Sequence, residues 1–140
     1  VCMKPLIASA RTETELEPKI RDVRARIAFY ASTPAYAEAF NHLGLDLLAR
    51  EAKVLSKEQR WEELPGLIDN GILNQFAVIG TYDEIADKIT QRWADIVTHL
   101  EFSISVNNDQ DLEDLSDIAK NIQAQGEVSA RKNICGAAVD

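Results

Sequence analysis

Cysteine is nearly absent: Cys2 and Cys135 stand near opposite ends of a 140-residue chain. There is no C-x-x-C pair, so the spacing of a structural zinc site is missing and no metal is expected. Nor is there a disulfide framework, which fits a reducing, cytoplasmic compartment. Histidine is as scarce. His42 falls in a helical stretch and reads as a solvated or helix-packing residue. His99 precedes a strand, at the end opposite to where ligands gather in parallel α/β sheets. Positive charge is in deficit, with 15 Lys and Arg against 23 Asp and Glu, a net charge of -8. That balance disfavours nucleic acid and anionic membranes as partners. The best basic stretch, Lys19 to Arg26, alternates with acids and apolar residues and reads as a solvated helix face. No apolar run approaches a membrane span. The opening "VCMKPLIASA" lacks the basic lead-in and the length of a signal peptide.

What is present is enough apolar sequence for one core. Hydrophobic residues make up 46% of the chain and charged residues 27%, a globular composition. Three short runs read as strands: Lys4 to Ala10, Gln75 to Gly80, and Leu100 to Val106. The third alternates strictly, with Leu100, Phe102, Ile104 and Val106 on one face and Glu101, Ser103 and Ser105 on the other. Between the first two runs lies a long helical excursion. Leu16, Ile20, Val23, Ile27 and Tyr30 form one stripe at helical spacing. Thr33-Pro34 restarts the helix, and Gly44 ends that segment. A further helix spans Leu45 to Leu55. The capping-box spacing of Ser56 to Gln59 opens another segment through Trp61 and Leu64, broken at Pro65-Gly66. Ile85, Ile89, Trp93 and Ile96 mark a helix after the second strand. Leu112, Leu115, Ile118 and Ile122 mark one after the third, ending at Gln125-Gly126. Residues 127–140 show no convincing period and are expected to form a mobile tail. Strands alternating with helices imply an α/β fold with parallel pairing and right-handed crossovers.

One turn invites a functional reading. In "NQFAVIGTYDEIADKI" an apolar strand meets Gly80-Thr81, and an amphipathic helix follows at once. Thr81 and Glu84 have capping-box spacing. The same exposed N–H groups could hold a phosphate. Against this stand the lone glycine and the adjacent Asp83 and Glu84, so a structural turn is the stronger reading. Glu101, Ser103 and Ser105 form either a polar face toward a ligand pocket or an exposed face of an incomplete sheet. Trp61, Trp93, Tyr30 and Tyr36 are expected to pack in the core or between helices.

The features "IAFYASTPAY", "W--LPGLID", "FAVIGTYDEIADKI" and the final strand occur in an order and spacing that resembles the C-terminal part of luciferase-like monooxygenases. The branch most similar uses a deazaflavin coenzyme, and the match runs from about Arg24 to Ile104. The resemblance implies a TIM (β/α)8-type barrel, of which the chain would supply about three parallel strands at the C-terminal end. It implies hydride or oxygen chemistry on FMN or a deazaflavin coenzyme at the carboxyl face. Gly80 and Thr81 match a family motif at a strand end and are the cofactor-binding candidates; no catalytic residue carries over. A part-barrel is not expected to be catalytic alone, and a non-catalytic binding or assembly module is the alternative. It leaves strand edges unpaired, so a homodimer or a complementary chain is the expected partner.

Overall fold

A computed structural model describes the backbone of residues 1–136 and the side chains of residues 1–127. The chain is a mixed α/β structure, mostly helical, with short strands. Its contacts divide it into two compact units, one comprising residues 1–16 and 78–140 and the other residues 17–77.

The first unit carries the strands. β1 (Cys2–Met3) pairs in parallel with β4 (His99–Leu100), with Cys2 opposite His99 and Met3 opposite Leu100. β2 (Leu6–Ala10) pairs with β3 (Ala77–Thr81) in a separate two-stranded sheet. Pro5 has no N–H to donate and separates β1 from β2, so the expected strand over Lys4 to Ala10 starts only at Leu6, with a short separate strand before it. Two helices cover these strands: α5 (Tyr82–Trp93) and α6 (Asp109–Gly136). The stripes at helical spacing meet in a core of Val78, Ile85, Ile89 and Ile118, with Ile7, Trp93, Leu100, Phe102 and Ile122 packed around it. Among the described residues the strands close no barrel.

The second unit is helical. α1 (Glu13–Ser32) runs into it, followed by a 3-10 turn at Pro34–Tyr36, α2 (Ala37–His42) and α3 (Asp46–Lys57). A 3-10 helix at Trp61–Leu67 and α4 (Asn70–Phe76) complete it. Gly44, at φ +72°, ends α2 as expected: the Leu45 N–H reaches Phe40 O at 2.9 Å and the Gly44 N–H reaches Asn41 O at 3.0 Å. The Phe40 and Phe76 rings stack with centroids 5.3 Å apart. Arg24 donates to the Ile68 carbonyl and to Asn70, tying α1 to the start of α4.

Four expectations are corrected. Ser56 to Gln59 opens no helix; it closes α3 with the same double bond pattern as Gly44, the Arg60 N–H meeting Leu55 O at 2.9 Å. Gln59 takes the left-handed position at φ 59°. The second strand starts only at Ala77, because Asp69 accepts from the Ile72 N–H at 2.8 Å and caps a helix that claims Gln75 and Phe76. The third strand shrinks to His99–Leu100, since Phe102 to Val106 find no neighbouring strand. Helix α6 does not stop at Gly126 but continues to Gly136. One interior glycine costs about 1 kcal/mol, too little to end a helix flanked by good helix formers. Residues 137–140 of the expected tail lie outside the described residues.

Candidate functional site

In the first unit the carboxyl ends of β2 and β3 converge. Arg11 directly follows β2 and Tyr82 directly follows β3. The guanidinium of Arg11 lies 5.9 Å from the centroid of the Tyr82 ring, which sets those two ends side by side. The segment after β4 ends at Asn107, and α6 begins beside the same two residues. Arg11 Nη2 donates to Asp111 Oδ1 at 2.9 Å, and Arg11 Nε donates to Asp114 Oδ2 at 3.0 Å.

The sequence builds this corner locally. Asn108 caps α6, its Oδ1 accepting from the Asp111 N–H at 2.9 Å. Asp111 reciprocates by accepting from the Asn107 N–H at 2.9 Å. Two helix-terminal bonds and one arginine thus hold a buried carboxylate in place. The Asn107 N–H, and after it Arg11, hold the Asp111 carboxyl below its ordinary range. Burial pushes the Tyr82 phenol up, against the opposing pull of Arg11. Near neutrality the corner therefore presents a protonated phenol beside a guanidinium already matched by two carboxylates. It can donate a hydrogen bond and fix an orientation; it holds no nucleophile–base pair.

Gly80 and Thr81 sit at the end of β3, against the first turn of α5. Half of the expected capping box forms. The Glu84 carboxylate accepts from the Thr81 backbone N–H, while the Thr81 side chain makes no cap bond. Lys88 closes over the turn, its Nζ donating to Ile79 O at 3.0 Å and to Glu84 Oε2 at 2.8 Å. A Cβ at position 80 would lie 3.2 Å from both of those side chains, so the glycine admits their close approach. Lys88 first and foremost holds the Glu84 carboxyl below its ordinary range.

The remaining candidates stand apart from this corner. His42 is exposed on α2, 3.8 Å from Glu38. His99 is exposed on β4 with its Nδ1 3.1 Å from Thr98 Oγ1. Glu101, Ser103 and Ser105 are exposed, and Glu101 bonds Lys4. Trp93 packs on the core beneath the Arg92 guanidinium. Trp61, expected to pack in the core, is instead 47% exposed, because it opens a 3-10 helix whose buried residue is Leu64. Tyr30 and Tyr36 pack edge to face at 5.2 Å, yet both remain exposed. Cys2 is free and exposed; the Cys135 side chain lies outside the described residues. Among the described residues no group of three or more His, Cys, Asp or Glu could hold a metal ion. None of their helices is long and apolar enough to cross a membrane.

The Arg11–Tyr82–Asp111–Asp114 corner is not evident in the sequence, where Arg11 lies some 70 to 100 positions from the other three. One signal was available: each follows a strand directly or opens the next helix.

The chain is similar to uncharacterized proteins of Mycobacterium tuberculosis (Rv1360 and MT1405) and Mycobacterium bovis (Mb1395). It is 37% identical to each over 97 residues, 69% of this chain. It spans only about 28% of the length of those relatives. No protein-family model matches the chain, and no solved structure does.

Proposed function

We propose that the chain supplies the C-terminal portion of a luciferase-like (β/α)-barrel oxidoreductase working in the cytoplasm with FMN or a deazaflavin coenzyme. The observation that carries this reading is the convergence of Arg11, Tyr82 and the start of α6 at the carboxyl ends of β2 and β3. In α/β enzymes ligands bind at that end, on residues that follow successive strands. The relatives lend support by length. The 97 matched residues make up 28% of them, so they run to roughly 350 residues, within the span of a whole barrel with insertions. The order of motifs along the chain points the same way.

The Gly80 turn has donors suited to a cofactor phosphate. The Thr81 N–H and the Lys88 ammonium already hold an anionic group, the Glu84 carboxylate. With Glu84 turned outward the same two donors would meet a phosphate oxygen. When bound, the cofactor supplies hydride or oxygen chemistry. The chain's own part is to bind its phosphate, to present the Tyr82 hydroxyl as a donor, and to keep Arg11 fixed between Asp111 and Asp114. The remaining strands of the barrel would bring the groups that act on substrate.

Titration of the purified chain with FMN and with a deazaflavin coenzyme tests this. Saturable quenching of cofactor fluorescence is expected, stronger in Glu84→Gln, which frees the turn of a competing carboxylate. No binding by either protein would remove the cofactor from this chain. A second reading, a non-catalytic assembly module, is favoured by the unpaired backbone of residues 102–106. It would gain if binding failed while self-association persisted.

A further inference from the structure

The segment after β4 is shaped as a strand, but among the described residues no strand pairs with most of its length. Leu100, Phe102 and Ile104 are half-buried while Glu101, Ser103 and Ser105 are exposed, the two-residue period of an extended chain. Its last ladder bond runs from the Glu101 N–H to Met3 O at 2.9 Å. The next anchor is the Asn107 N–H on Asp111 Oδ2 at 2.9 Å. Among the described residues, Phe102 to Val106 make no backbone hydrogen bond. The segment is thus held at both ends with a free backbone between, and such an edge is a template for another strand.

We infer that Leu100–Val106 is a strand-addition site whose occupant is the same segment of a second copy of this chain, paired antiparallel about Ser103. This does not rest on the proposed oxidoreductase function. The register is dictated by the side chains. Ser103 is the midpoint of the alternating run, and pairing about it sets Phe102 opposite Ile104, Leu100 opposite Val106, and Glu101 opposite Ser105. All apolar residues then share one face, and no like charges stand directly opposite. A one-residue slip would turn one copy's apolar set against the other's serines. A parallel in-register pair would stack Glu101 on Glu101. In the antiparallel pair each Glu101 also keeps its own Lys4 partner.

The surface beside the segment supports the same occupant. An open groove of about 720 Å³ runs between α5 and α6, and Trp93, Leu100, Phe102 and Ile122 are among its lining residues. Because Leu100 and Phe102 line it, the residues placed opposite them, the second copy's Val106 and Ile104, arrive on the groove side of the pair. Val106 is 47% exposed in the single chain and would be covered there. Seven residues a copy fall well short of the roughly 20–30 residues a side of a standard stable interface, so a weak, micromolar dimer is expected. The net charge of -8 on each copy opposes it, and added salt should tighten it.

The test uses the full chain. Sedimentation velocity should show a concentration-dependent dimer, weakened roughly threefold by Ser103→Glu, which sets two like charges directly opposite each other across the axis at an exposed position. Circular dichroism and thermal midpoint should match the parent chain. A second measurement does not depend on the added charge. With Cys2 and Cys135 changed to Ser, Ser103→Cys should oxidise to a disulfide-linked dimer, because the two copies of residue 103 face each other across the axis. Ser105→Cys should not, since residue 105 faces 101 and the two copies of 105 lie about 13 Å apart along the strands. A chain that stays monomeric across the micromolar range would overturn the proposal. So would a dimer untouched by Ser103→Glu, or Ser105→Cys cross-linking as readily as Ser103→Cys.

Discussion

The same substitution at two glycines should move stability in opposite directions. A Cβ added at Gly44 or at Gly126 would meet nothing within 4 Å, so sterics with other residues drop out of the comparison. Only the backbone differs. Gly44 ends α2 at φ +72°, where an L side chain clashes with its own chain at a cost of roughly 1–2 kcal/mol. The reduced freedom of the unfolded chain returns about 0.5 kcal/mol of that. Gly44→Ala should therefore lose about 1 kcal/mol. Gly126 lies inside α6, where alanine is favoured over glycine by about 0.5–1 kcal/mol. Gly126→Ala should gain that amount. For a chain of this length 1 kcal/mol corresponds to about 3 °C in thermal midpoint. The two glycines lie in different units, and each unit has its own tryptophan, Trp61 with Gly44 and Trp93 with Gly126. Single-tryptophan versions of the chain, unfolded in urea, follow each unit separately. Shifts of the same sign would refute the reasoning, as would a neutral Gly44→Ala.

Ile85 is fully buried at the centre of the first unit's core, so Ile85→Ala should cost about 2–5 kcal/mol, read from the urea midpoint reported by Trp93. Asp69 accepts the Ile72 N–H at the start of α4; Asp69→Ala should cost about 1 kcal/mol and Asp69→Ser much less, in the same assay with Trp61. The Asp111 carboxyl is held low in the fold by the Asn107 N–H and then by Arg11. Its contribution is complete above the ordinary carboxylate range and is lost as pH falls through the depressed folded value. Asp111→Asn should thus flatten the stability–pH slope below about pH 4 and leave the slope near neutrality unchanged. An unaltered acid limb would assign that slope to other carboxylates.

How far the fold was legible follows from which forces are local. Helix stripes were legible because a period of 3.6 is written within a dozen residues: Ile85, Ile89 and Trp93 pack as their spacing requires, and so do Ile118 and Ile122. Gly44 was legible as a stop because only its backbone freedom was needed. Gln59 was not, because it takes the same left-handed position without being glycine. The boundary at Ala77 was missed for a related reason. The β-leaning run Gln75 to Gly80 competes with a helix already started by the Asp69 cap, and the cap claims its first two residues. The third strand shows the deeper limit. Leu100 to Val106 carries the clearest strand pattern in the chain, yet only His99–Leu100 joins a ladder. A strand pattern states which face is apolar; pairing also needs a neighbour's backbone, and that is a property of whatever lies alongside. The candidate site shares this dependence. Arg11, Tyr82 and Asp111 each looked ordinary alone, and the corner exists because the strand ends they follow are brought together. The groups left unsatisfied are the ones whose partners lie outside the segment that orders them. Among the described residues Phe102 to Val106 is such a stretch, and there association is expected to begin.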